Sequence, residues 1–356
     1  MWLYGKWACI TRIPGWNGFM EEATANKTFY KSKVMFLPFI NAPPSDYDTI
    51  YTTLNSALTR SKATKCKSCI VTFDQPLFWK ARDIVSNADP SSDISCIIVR
   101  LGGFHVLISF LGAIGYIMSG SGLEDALKMI YAENSVEKIC SGHAYSRAVR
   151  AHFLLHLSLA KRIMDKIEFE DSERNEVDHL LMDLDRTVVL TAKENNVVKK
   201  LIEKFDAALH QAESNGPTAK LWTQYFKMVT LLKHFIEAER SGNWELHLDI
   251  MQRMLPFFHA SGHFLYAKSA HLYLQDMTNL RDKMPAAEFD KFTKQGYFTI
   301  RRTNKFWSGI MTDQTIEQTL NRESKISGGI FKRGADESVA ARWTMSSVHM
   351  QNICEQ

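Results

Sequence analysis

Short apolar runs with almost no charge cover Ser68–Phe73 and Ile94–Leu101. Each ends in a polar, turn-forming stretch, Asp74-Gln75-Pro76-Leu77 and Gly102-Gly103-Phe104-His105. This pattern predicts two buried strands, each followed by a helix, with polar residues at the carboxyl ends where α/β folds place chemistry. Met1–Pro44 reads as irregular apart from a strand at Lys33–Ile40, stopped by Asn41-Ala42-Pro43-Pro44. A short strand is predicted at Tyr297–Arg301.

Between these ends the period changes. From Leu123 to Phe292 apolar residues recur every three or four positions, the mark of amphipathic helices. The strongest are His143–Ile167, Lys193–Ala212, Ala219–Glu239, Trp244–Phe258 and His263–Leu280. Their buried faces are expected to hold Leu154, Leu157, Leu231, Phe235, Leu255 and Leu272. Breaks fall at Asn215-Gly216-Pro217, Ser241-Gly242-Asn243 and Met284-Pro285. A helix is expected at Asp313–Glu323, a Gly-rich basic loop at Ser327–Ala335 and a last helix at Asp336–Met350. The expected organisation is an α/β sheet portion at 1–122, a helical insertion at 123–292, and a strand with helices at 293–356 returning to the sheet.

A chain of 356 residues has room for a large core. Its formal charge of +4 is too small to establish a nucleic-acid partner by itself. The first residues are apolar from the outset, as in a chain that begins inside a larger domain or in an N-terminal strand docked in a sheet. Six cysteines and no signal-peptide pattern suggest an intracellular protein. The longest apolar stretch, Val106–Met118, is shorter than the roughly 20 residues a membrane span needs, so no membrane partner is expected.

Several residues have a chemical and a structural reading. Asp74, at a strand end, can bind a divalent cation or cap the next helix. Asp313 and Glu317 share a helix face, as a carboxylate pair or as a helix cap with a solvated neighbour. His105, after two glycines, is a ligand or proton donor, or a buried histidine bonded to a loop. Cys66 with Cys69, His152 with His156, and His259 with His263 have metal-like spacing but lack the matching pairs a zinc site wants. Lys325, Lys332, Arg333 and Arg342 cluster around Gly328-Gly329 and Gly334, with Arg301 and Arg302 preceding them, in a manner that suits phosphate, or as an ordinary flexible loop.

Several stretches taken together carry a resemblance: Trp16-Asn17-Gly18-Phe19, Val71-Thr72-Phe73-Asp74-Gln75-Pro76-Leu77, Leu101-Gly102-Gly103-Phe104-His105, Arg147-Ala148-Val149-Arg150-Ala151-His152, Ala260-Ser261-Gly262-His263-Phe264, Ile316-Glu317-Gln318-Thr319-Leu320 and Ser327-Gly328-Gly329. They resemble a family of uncharacterised invertebrate proteins of repeat and transposon origin. That family is distantly similar to RNase H-like transposases with a helical insertion before the last acidic residue. The resemblance implies an α/β fold with an RNase H-like sheet portion, N-terminally incomplete, and a large all-helical insertion. It makes Asp74 the second acid and Glu317 the third, with His105 beside them and Asp313 as a further ligand for Mg²⁺ or Mn²⁺. It implies DNA as partner, contacted by Arg301, Arg302, Lys325, Lys332 and Arg333, and a nuclear location if the chain acts on DNA. The first acid is missing, since the Lys33–Ile40 run ends in Asn41, so catalysis is expected to be incomplete. The competing expectation is a non-enzymatic helical scaffold whose acids are only caps. The two separate on whether Asp74 and Glu317 meet at a sheet edge.

Overall fold

The computed structural model describes residues 1–23, 29–35, 37, 40, 42–182 and 195–318. The chain is mostly helical, with two small sheets among these residues. Its contacts divide it into two compact units. Met1–Tyr30, Leu107–Ala267 and Thr303–Gly309 form one; Lys31–Val106, Lys268–Arg302 and the described residues from Ile310 onward form the other. These divisions differ from the expected boundaries at 122 and 292. The first thirty residues belong with the helical block, and the stretch after Ala267 belongs with the strands.

The sheet unit is built on a βαβ element. Strand β1 (Cys69–Phe73) pairs in parallel with β2 (Ile97–Leu101), from Cys69 opposite Ile97 to Phe73 opposite Leu101. Asp74, in extended backbone, caps the intervening helix by accepting the Leu77 N–H at 3.3 Å, with Pro76 in the first turn. We number helices in chain order, so this helix, Gln75–Ser86, is α4, after Trp2–Trp7 (α1), Trp16–Ala23 (α2) and Tyr47–Ala63 (α3). The run before β2 starts differently from expectation. Ser92 caps a 3-10 turn at Asp93–Cys96, so the strand begins only at Ile97. Every residue of β2 is buried, while β1 is mostly half-buried. The stretch from Lys268 packs on this element: Ser269 Oγ accepts hydrogen bonds from Gln75 Nε2 (3.2 Å) and Trp79 Nε1 (2.6 Å), and Arg82 pairs with Asp276 at 2.7 Å.

Two strand expectations are corrected. Tyr297–Arg301 shrinks to Ile300–Arg301 (β3), which pairs with Gly309–Ile310 (β4) in a separate sheet. The Lys33–Ile40 run is no strand where it is described; residues 36, 38 and 39, and Asn41 after it, lie outside the described residues. Val34, Met35, Leu37 and Ile40 stay exposed, so among the described residues nothing covers the apolar face a strand would need. The segment is tied to β3 by the Ser32 N–H donating to the Arg301 carbonyl and the Arg301 N–H donating to Ser32 Oγ, both at 2.9 Å.

In the helical unit the first residues are not irregular. Helices α1 and α2 bring Tyr4, Ile13 and Phe19 into a core with Met164, Val177, Leu181 and Leu201. Tyr4 donates to Asp178 (3.2 Å) and Trp7 Nε1 to Asp165 (2.7 Å). Among the described residues the remaining helices, counted across both units, are α5 (Gly103–Ile117), α6 (Leu123–Lys128), α7 (Glu133–Cys140), α8 (Tyr145–Met164), α9 (Asp171–Met182), α10 (Asn196–Glu213), α11 (Pro217–Ser241), α12 (Trp244–Ala260) and α13 (Phe264–Thr278). Two short ones follow, α14 (Leu280–Lys283) and α15 (Ala286–Thr293), and α16 covers Thr312–Gln318. Within Leu123–Phe292 no described residue is in a strand. Leu231 and Phe235 are buried as expected, while Leu157, Leu255 and Leu272 are half-buried. Leu154 departs from expectation, at 46% exposure. Helix α8 instead buries Ala148, Ala151, His152, His156 and Ala160, whose smaller or flat side chains let neighbouring helices approach, and then Ile163 and Met164 in its last turn.

Those two histidines make acid sensitivity a property of the fold. His152 Nδ1 shares a hydrogen bond with the Tyr225 hydroxyl (2.9 Å), and His156 Nε2 shares one with Thr230 Oγ1 (3.0 Å) while stacking on Phe226. Burial pushes His152 down to about 4; burial, with Lys233 and His234 nearby, pushes His156 down to about 3. Both are therefore neutral when folded, whereas the unfolded chain binds protons below about pH 6.5. Stability present above that pH is lost as pH falls, at about 1.4 kcal/mol per pH unit for each histidine. Urea melts between pH 7 and 5 should show the combined slope, and His156→Gln should halve it. An unchanged slope would mean that His156 is not buried neutral.

Candidate functional site

The site is built where the two parallel strands end. After β2 the chain enters α5 through Gly102-Gly103, so the helix has no capping side chain of its own. The cap comes from 209 residues further on. Asp313, buried at the start of α16, accepts the Phe104 N–H on Oδ1 (3.0 Å) and the His105 N–H on Oδ2 (3.1 Å). A carboxylate there satisfies two of the four orphan amides and lies at the positive end of the helix dipole. The fit requires Gly102, because a Cβ on it would lie 2.4 Å from Asp313 Oδ2 and 3.1 Å from the Phe73 carbonyl.

Asp313 also orients His105. Its Oδ2 lies 3.0 Å from His105 Nδ1, and the other ring nitrogen, Nε2, is 3.9 Å from Glu317 Oε1. The Asp313 hydrogen bond holds the imidazole pKa above its ordinary 6.5; burial opposes this, and the charges of Asp313, Asp74 and Glu317 reinforce it. His105 keeps 27% of its side chain exposed, enough to exchange protons with solvent. A histidine fixed by one carboxylate and faced by a second is arranged for proton transfer or for charge storage.

Asp74, His105, Asp313 and Glu317 thus belong to one electrostatic cluster, although Asp74 comes from the end of β1 and Glu317 from α16. As a divalent-cation site the donor set does not fit. Both Asp313 oxygens are engaged by α5 and His105, and Asp74 Oδ1 is engaged by its own helix. Among the described residues no group of three or more His, Cys, Asp or Glu side chains is arranged to hold a metal ion, and this covers Cys66 with Cys69 and the spaced histidine pairs.

Of the basic residues singled out in the sequence, Arg301 and Arg302 are described. Arg301 is 2% exposed, and its burial lowers its pKa to about 10, so it does not face a polyanion. Arg302 is exposed. Lys325, Lys332 and Arg333, with the Gly-rich loop and the last predicted helix, lie outside the described residues. Sequence reasoning passed over two residues. One is Gly102, marked in the sequence only as one of the two glycines before His105. The other is Arg100, buried within β2, which donates to the Phe298 carbonyl (2.8 Å) and stands over the Phe292 and Phe298 rings. A lone arginine in an apolar strand was the available signal. It borders a cavity of about 490 Å³ on the sheet face with Ile70, Thr72, Lys65 and Lys291.

Fold and site together define a mostly helical protein with a βαβ element whose strand ends carry an acid–histidine cluster. The chain belongs to the DUF8702 family, a domain of unknown function whose family model matches residues 15–356. Comparison with curated proteins and with solved structures gave no match. Among the described residues no helix is long and apolar enough to cross a membrane.

Proposed function

We propose that this chain handles nucleic acid as an RNase H-related, transposase-like protein of mobile-element origin, and that it does so without cutting the strand. The observation that carries the reading is the gathering of Asp74, His105 and Glu317 at the carboxyl ends of parallel strands, with a long helical stretch between them in sequence. This is the layout the family resemblance implies for the second and third acids. The absence of cleavage follows from the engagement of Asp313 and Asp74 in helix caps.

The test is fluorescence anisotropy with labelled duplex and single-stranded DNA over a range of salt. The expected result is binding at roughly 1–100 µM near physiological salt, weakening as salt rises, with no cleavage in Mg²⁺ or Mn²⁺. Glu317→Gln removes a negative charge from the cluster and should tighten binding if DNA passes over it. Absence of binding would refute the reading and leave the second one, a non-enzymatic helical scaffold, which the cap roles of Asp74 and Asp313 favour. Millimolar Mg²⁺ should leave the melting temperature unchanged. A metal-dependent rise abolished by Asp74→Asn would show that the cluster binds metal after all.

A further inference from the structure

The helical unit contains an apolar groove unrelated to the acid cluster. It is a cavity of about 590 Å³, within the range of specific binding sites. Two of the stretches singled out in the sequence, Trp16-Asn17-Gly18 and the segment around Arg150, line it. The misjudged face of α8 supplies its floor. Tyr145, Val149, Phe153 and Leu157 follow one another at four-residue steps, with Leu154 alongside. Because α8 uses alanines and histidines toward the core between Ala148 and Ala160, Phe153, Leu154 and Leu157 are left for this groove. Leu154 is 46% exposed. Phe153 is half-buried and makes no ring contact with another aromatic among the described residues.

The charge around the groove has one sign. Lys6, Arg150 and Arg240 line it, and no aspartate or glutamate does. Arg150 is exposed and forms no ion pair among the described residues. Behind the aromatic wall, the Lys233 ammonium lies 3.8 Å from the Trp16 ring centroid and 5.2 Å from that of Trp2. The Trp16 face is thereby already engaged, which disfavours base stacking and leaves aliphatic side chains as the contact chemistry. The α8 wall from Tyr145 to Leu157 is about 18 Å long at 1.5 Å per residue, matching about three turns of a second helix.

We propose that this groove docks an acidic amphipathic helix of a partner protein, its apolar side chains against Phe153, Leu154 and Leu157 and a carboxylate on the exposed Arg150, with Lys6 and Arg240, which also donate to the Ile13 and Trp307 carbonyls, adding positive charge along the lining. This is helix-in-groove recognition with charge complementarity at the rim. It rests on the helical unit alone and stands or falls independently of nucleic-acid handling.

The experiment uses the full chain and two labelled designed peptides of three to four helical turns. Both carry Leu and Phe at i, i+3, i+4 and i+7; one has glutamates on the flanks and the other lysines. Anisotropy should show micromolar binding of the acidic peptide and binding about tenfold weaker for the basic one. Arg150→Glu, at an exposed position that leaves the fold intact, should reverse that preference, and Leu154→Glu should weaken both peptides. Equal binding of the two peptides, or no effect of Arg150→Glu, would overturn the proposal. So would self-association of the wild type that Leu154→Glu abolishes, which would make a second copy the occupant. Displacement of the peptide by a single-stranded oligonucleotide would overturn it in favour of a polyanion.

Discussion

Asp313→Ala should destabilise the sheet unit by about 2–4 kcal/mol, far more than a surface carboxylate is worth. The substitution leaves the buried Phe104 amide and the half-buried His105 amide without their acceptor and removes the charge at the start of α5. Urea unfolding followed by circular dichroism measures the loss. A second readout separates the cap from mere packing. In the wild type the raised pKa of His105 makes a contribution that is complete below pH 6.5 and disappears as pH rises through the histidine's own, higher value. In Asp313→Ala the His105 NMR titration should fall back toward its ordinary value, and that alkaline loss should vanish. A variant as stable as the wild type, with His105 titrating as before, would remove Asp313 from the centre of the site.

Gly115→Ala should cost about 3 kcal/mol and lower the thermal midpoint of the helical unit by many degrees. A Cβ at this position of α5 would lie 2.1 Å from the Cys140 carbonyl oxygen and 2.8 Å from its carbon, at the end of α7. The obstruction is backbone, which cannot rotate away as a side chain can. Helix propensity alone favours alanine over glycine by about 1 kcal/mol, so the sign of the effect decides between close approach and propensity. Gly120→Ala serves as the control for space: a Cβ there meets nothing within 4 Å, although its φ of +72° makes alanine strained. If Gly115→Ala melts at or above the wild-type temperature, the two helices do not approach as closely as described.

What the sequence revealed follows the range of the forces involved. The two parallel strands were legible because a strand buried on both faces needs a nearly all-apolar run, as in Ile97–Leu101, where Arg100 alone interrupts it. Asp74 was legible as a cap because the cap, Pro76 and the helix are adjacent. Asp313 was legible as the start of its own helix or as a carboxylate paired with Glu317; its part in capping α5 depends on a contact 209 residues away that no local pattern carries. Leu154 was misplaced for the opposite reason. Periodicity assigns the largest apolar residues to the core, and α8 inverts that from Ala148 to Ala160, where alanine and histidine pack inward, before Ile163 and Met164 restore the usual pattern. The unit boundaries were hidden because α1 is a single short helix whose partners, Asp165 and Asp178, lie far along the chain.

Each compact unit is assembled from separated stretches of chain, interleaved with those of the other. This sets a clock on synthesis. About 200 residues separate the end of β2 from Asp313, so a ribosome adding 5–20 residues per second delivers that carboxylate roughly 10–40 s later. For that interval the nascent strands and the Gly-Gly start of α5 exist without the residues that complete them. Ile70, Val71 and Phe73, only half-buried even in the finished protein, are then accessible to chaperones or to a neighbouring chain on the same messenger.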